Sequence, residues 1–191
     1  MRKLTLLFAL IGFAFFANAQ TTATFKAFKV DIDFGYAIPG SSGTGVGGTK
    51  AGATFTIEPH YRLSDAFAVG LRVEGAGLAY ITNSGSDNSS VNLLTSYCAT
   101  GDYYLSNSGF RPFIGAGAGF FSQQSLAGSN NSVVVVAGAT TFGFFPRVGF
   151  DAGHFRMSAA YDVVTNNNYA NFTIGFFLGG GKIIGHGISA L

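Results

Sequence analysis

The stretch FKVDIDFGYAI (28–38) alternates without a break: Phe28, Val30, Ile32, Phe34, Tyr36 and Ile38 share one parity, and Lys29, Asp31, Asp33, Gly35 and Ala37 share the other. Successive side chains of a β-strand point to opposite faces. The stretch therefore specifies a strand with one greasy, aromatic-rich face and one face carrying three charges. No long segment of the chain shows the apolar spacing of three and four that marks an amphipathic helix.

The pattern recurs seven times. Ala53, Phe55, Ile57 and Tyr61 oppose Thr54, Thr56, Glu58, His60 and Arg62. Phe67, Val69, Leu71 and Val73 oppose Gly70, Arg72 and Glu74. Val91, Leu93, Tyr97 and Tyr103 oppose Asn92, Ser96, Cys98, Thr100 and Asp102. Phe110, Ile114, Ala116, Ala118 and Phe120 oppose Arg111, Gly115, Gly117 and Gly119. Phe142, Phe144, Val148 and Phe150 oppose Gly143, Arg147, Gly149 and Asp151. Phe155, Met157, Ala159, Tyr161 and Val163 oppose Arg156, Ser158 and Asp162. Phe172, Ile174, Phe176 and Leu178 oppose Asn171, Thr173 and Gly175. Eight segments of roughly 10–15 residues with this alternation are the pattern of an all-β, eight-stranded antiparallel up-and-down transmembrane barrel.

The charges place the faces. Lys29, Asp31, Asp33, Glu58, Arg62, Arg72, Glu74, Asp102, Arg111, Arg147, Asp151, Arg156 and Asp162 all lie opposite the aromatics, and His60 joins them. A charge on a lipid-facing surface near mid-bilayer costs about 2–4 kcal/mol, so such a surface excludes them. Lys26, Lys50, Asp65, Asp87 and Lys182 fall at segment ends, turns or loops. Short turns (63–65, 106–109, 153–154) alternate with longer connections rich in Gly, Ser and Asn (39–49, 82–90, 123–132, then 165–168). Short periplasmic turns and longer outer loops are the outer-membrane arrangement. The alternative is a secreted soluble barrel or sandwich, which has the same alternation with its apolar face inward. The crowding of Phe on one face, from 21 in the chain, and of glycine on the other favours the membrane version.

The start of the chain agrees. Arg2 and Lys3, an apolar run from Leu4 to Ala17 and the small-x-small triplet Ala17-Asn18-Ala19 make a secretory signal peptide over 1–19. The barrel is expected over 20–182 and a tail over 183–191. Of 191 residues 48% are apolar and 10% charged, against about 25% charged in an ordinary soluble domain. That composition excludes disorder, and a single Cys excludes a disulfide scaffold or a Cys-based zinc site. Without Arg2 and Lys3 the chain has nine Lys and Arg against nine Asp and Glu, and no basic cluster for nucleic acid.

The stretches FRPFIGAGAGFF (110–121), FPRVGFDAGHFRMSAAYDVV (145–164) and NYANFTIGFFLGGGK (168–182) resemble the small OmpA/OmpX-like outer-membrane barrels, in the porin-family form common in Bacteroidetes. The resemblance covers most of the chain after residue 20. It implies residence in the outer membrane of a Gram-negative bacterium, lipid contact and insertion by the barrel-assembly machinery, which reads an aromatic-ended last strand. Here the last aromatics, Phe176 and Phe177, are followed by LGGGKIIGHGISAL, a departure from that ending. The longer family members' peptidoglycan-binding domain is also missing from this sequence.

Candidate chemistry is sparse. His60 with Glu58 and Arg62 could be drawn as an acid–base centre, but a place in a lumen charge network is the simpler reading. His60, His154 and His186 lack the spacing of a metal site. A lipid A-modifying barrel hydrolase needs Ser and His together near the outer rim, whereas His154 sits at the opposite end from that rim. Cys98 is expected to be an inert lumen thiol. Gly115, Gly117 and Gly119 precede no helix and so form no phosphate loop; they are expected to make room for Arg111 and Phe113. The run VVVV (133–136) could extend strands above the membrane and would be an edge-pairing hazard if exposed. No cofactor is expected. The leading reading is a non-enzymatic barrel with a filled polar lumen and a structural or surface-interaction role through its outer loops. The alternative is a narrow pore or small-solute transporter, with the lipid A-modifying enzyme behind both.

Overall fold

The computed structural model describes residues 25–40, 51–81, 89–129, 132–165 and 168–183. The expected signal peptide, Lys50, Asp87 and the tail beyond Ile183 lie outside the described residues. Eight strands follow in chain order: β1 Phe28–Pro39, β2 Gly52–Arg62, β3 Phe67–Ile81, β4 Ser89–Tyr104, β5 Phe110–Ser129, β6 Ser132–Ala152, β7 Phe155–Val164 and β8 Tyr169–Gly179. Each pairs antiparallel with the next, and β8 returns to β1, closing the barrel. The closing seam runs from Lys29 opposite Gly179 to Pro39 opposite Tyr169.

The alternation of the sequence becomes inside and outside. The odd-numbered charges of β1 and the even-numbered polar residues of β2 point into the lumen and are buried. Phe34, Leu71, Tyr97, Phe120, Phe142 and Leu178 point out, each more than half exposed. The polar side chains are thus in the interior and the apolar ones on the surface, the inverse of a soluble sandwich.

One expected loop is strand. Residues 123–132, rich in Ser, Gln and Gly, were expected as a long connection, but β5 continues to Ser129 and β6 starts at Ser132. The ladder between them runs Gln124 opposite Ala137 to Ser129 opposite Ser132, with a bulge at Ser122–Gln124. Pairing with a β-branched partner overrides weak intrinsic propensity, and Val133–Val136 supply that partner. Among the described residues the rungs from β6 to β7 begin at Gly143.

Two prolines interrupt the ladders. Pro59 pairs with Val30 of β1, but the β2–β3 rungs skip from Ile57 opposite Val73 to His60 opposite Gly70. Pro146 likewise pairs with Ala116 of β5, while the β6–β7 rungs skip from Phe144 opposite Val163 to Arg147 opposite Ala160. Proline has no N–H to give, so each loses one side of its ladder.

Glycine makes room in the lumen, though for other residues than Arg111. A Cβ on Gly115 would strike Asp102, one on Gly117 the Phe145 ring, and one on Gly119 the Tyr97 carbonyl. Phe113 lies instead over Gly149, its partner across the β5–β6 ladder. Gly175 is as tightly held, between the Ile32 carbonyl and Asp33, whereas a Cβ on Gly75 meets nothing within 4 Å. Gly175→Ala should lower stability by about 1–3 kcal/mol through overpacking. Gly75→Ala should stay within about 0.5 kcal/mol of the parent. The urea midpoint of the refolded barrel measures both.

Candidate functional site

The site is the lumen itself. Strand parity brings thirteen charged side chains inward from seven strands, and all are at most 5% exposed. Burying one unpaired charge costs several kcal/mol, so the arrangement depends on pairing.

The half nearer the short turns holds the larger network. Arg147 of β6 grips Glu58 of β2 across the barrel, Nη1 donating to Oε2 at 2.7 Å and Nη2 to Oε1 at 2.8 Å. Its Nε donates to Asp102 of β4 at 2.7 Å. Arg156 of β7 donates from Nη2 to Asp102 at 2.9 Å and from Nη1 to Asp151 at 3.0 Å, and its Nε lies 3.4 Å from Asp31. Lys29 of β1 donates to Asp151 at 2.9 Å and lies 3.1 Å from Asp31. Tyr104 donates its hydroxyl proton to Asp151 at 3.0 Å.

His60 sits inside this network. Its Nε2 is 2.8 Å from Asp31 and 3.2 Å from Glu58, and its Nδ1 is 4.0 Å from Asp102. The thirteen charges divide into six basic and seven acidic, one acid in excess.

The half nearer the long loops is smaller and acidic. Arg72 of β3 donates to Asp162 of β7 at 2.5 Å, lies 3.5 Å from Glu74, and stacks 3.6 Å over the Phe145 ring. Glu74 also accepts from Tyr169 at 2.8 Å, Asn171 at 2.6 Å and Thr56 at 3.1 Å. An apolar layer that includes Ala37, Leu94, Phe121, Phe145 and Val164 packs with Tyr169. At the opposite mouth Phe25, just before β1, bridges to Lys182 after β8. Its ring lies 3.9 Å from the Arg111 guanidinium and 5.0 Å from that of Arg62. Arg111 also stacks 4.0 Å over Tyr104, and its Nη2 donates to the Asp65 carbonyl at 2.6 Å.

The closed-barrel fold is shared by several solved structures. Neisserial surface protein A is 18% identical with a TM-score of 0.53, covering 81% of this chain and 98% of its own. Ail, the attachment invasion locus protein of Yersinia pestis, solved with the heparin analogue sucrose octasulfate, is 13% identical at 0.54, covering 80% of this chain and 100% of its own. The outer membrane protein OprG from Pseudomonas aeruginosa is 15% identical at 0.51, covering 82% and 98%. The chain has the fold of the small OmpA/OmpX-type outer-membrane barrels. No protein-family model matches the sequence, and no curated protein matches it.

Within that fold the candidate chemical residues are dispersed or committed. Asp31, Glu58 and His60 offer ligand atoms within 4.8 Å of one another, a grouping the sequence spacing did not reveal. Lys29 and Arg156 already face Asp31, and Arg147 holds both oxygens of Glu58. That crowd of cations suits an ion-pair network better than a metal centre. His154 lies in the β6–β7 turn against the Phe177 carbonyl at 3.0 Å, while Ser158 pairs with Thr173 at 2.7 Å. The two form no nucleophile–base pair. Cys98 is buried in the lumen. Tyr104, Phe121, Phe145, Tyr169 and Phe177 are lumen residues that the aromatic-out pattern hid, although each shares the parity of the charged or polar residues on its own strand.

Proposed function

We propose that this chain is an integral outer-membrane barrel, exported through a cleaved signal peptide at 1–19 and inserted by the barrel-assembly machinery. Its lumen is closed, it is not an enzyme, and it acts structurally or through surface contacts made at its long-loop end. The observation that carries the reading is the inversion of polarity: buried, cross-paired charges inside and an aromatic, aliphatic girdle outside. An eight-stranded barrel is just wide enough for side chains to fill, and here Arg147 to Glu58 and Arg72 to Asp162 span it. The neighbours include a surface protein and an attachment protein solved with a sulfated sugar analogue, which supports a surface role.

The test is a refolded chain from Gln20 to Leu191. The unboiled protein should migrate apart from the boiled one on a gel. In a planar bilayer it should insert without conducting. Stable, reproducible current steps would replace the closed lumen with the narrow-pore reading. Identical migration before and after boiling, with no insertion, would remove the membrane assignment itself.

A further inference from the structure

Between the two charge networks lies a cavity of about 10 Å³, lined by Asp33, Thr56, Ser158, Asn171 and Thr173 and also by the paired charges of Glu58, Arg72, Glu74 and Arg147. That volume admits about one water-sized occupant. Asp33 is 3% exposed, and its Oδ1 has no hydrogen-bond partner. Among the described residues it is also the one lumen carboxylate with no basic group within ion-pair distance. Asp31 and Asp151 have Lys29 and Arg156, Glu58 and Asp102 have Arg147, and Glu74 and Asp162 have Arg72.

We propose that this chamber is a binding site for a single monovalent cation, held by Asp33 and the oxygens around it. The oxygens of the other walls have lone pairs left over. Thr56 gives its hydroxyl proton to Glu74, and Asn171 gives an amide N–H to the same oxygen. The hydroxyls of Ser158 and Thr173 bond to each other, which uses one of their two protons. Oxygen donors of this kind suit a hard cation. The two arginines of the lining are committed to other carboxylates. The guanidinium of Arg147 is shared between Glu58 and Asp102, and that of Arg72 between Asp162 and Glu74. The deficit is one charge, so a monovalent ion matches it where a divalent ion would leave an excess. Water alone would satisfy the hydrogen bonds and leave Asp33 uncompensated.

The chamber lies among buried lumen side chains, and refolding in a chosen salt is the informative step. The processed chain is refolded in sodium chloride or choline chloride at equal ionic strength, choline being too large for the chamber, and its urea unfolding is followed. Ligand linkage predicts that beyond half-saturation each tenfold rise in sodium lowers the unfolding equilibrium constant about tenfold, with no such trend in choline. Asp33→Asn, which preserves shape, should abolish the sodium trend. Thr173→Val, which keeps the carboxylate, should move half-saturation to higher sodium and keep the trend. Crystals grown with thallium(I) nitrate should show an anomalous peak beside Asp33. Equal stability in both salts would overturn the proposal, as would a sodium trend retained by Asp33→Asn or thallium density found only elsewhere. An Asp33→Asn barrel stabilised equally in both salts, from a parent without a sodium trend, would overturn it in favour of a protonated Asp33.

Discussion

Replacing Arg156 by Ala is expected to lower the folding free energy of the barrel by about 3–5 kcal/mol, the cost of removing one partner from a buried ion pair. The side chain is 1% exposed and reaches three carboxylates, Asp31, Asp102 and Asp151. Lys29 remains beside Asp31 and Asp151, and Arg147 beside Asp102, so the network loses its centre and keeps its edges. Arg156→Lys keeps the charge but loses the planar fork that donates to two strands at once, and should recover part of the loss. Urea midpoints of the three refolded barrels check the order, parent above Lys above Ala. A Lys variant no better than Ala would mean that geometry rather than charge holds the centre.

The second large effect belongs to the next face of the sheet. Leu71 is 63% exposed on β3, and its neighbour Arg72 is 3% exposed. In water an exposed Leu→Arg change away from special features stays within about 0.5 kcal/mol. In a bilayer an arginine on the lipid face near the midplane costs about 2–4 kcal/mol. Leu71→Arg refolded into phospholipid vesicles should therefore lose about 2–4 kcal/mol against the parent. A loss below about 0.5 kcal/mol would mean that this face meets water.

The two substitutions also mark how far the sequence could be followed. Parity alone separated Leu71 from Arg72, because a period of two leaves a side chain no third direction. It did not say that Arg147 would meet Glu58, or Arg72 meet Asp162. Those partnerships depend on the stagger of eight strands around the closed ring, which no single strand encodes. The aromatic lumen residues were closer to hand. Phe113 opposes Gly149 and Phe145 opposes Gly117 in the β5–β6 register, a ring laid over a glycine each time. That pairing needs only the turn between the two strands and the parity of each. It went unread because 123–132 looked like a loop, which hid the register of the hairpin. The cavity beside Asp33 had no sequence signal, since it is a gap left among ten residues from six strands.

Most of the lumen bonds join strands that are not neighbours: Lys29 of β1 to Asp151 of β6, Arg147 to Glu58, and Arg156 to Asp102. Their sequence separations are 122, 89 and 54 residues. None of these bonds can form along a growing hairpin; they wait for β1 and β8 to meet. The chain must therefore close its ring before it collects their stabilisation, and long-range closure is the slow part of β folding. A bond absent from the transition state acts on the way out rather than the way in. The lumen network should thus act as a latch, leaving the speed of assembly nearly untouched and lengthening the lifetime of the barrel once it has shut.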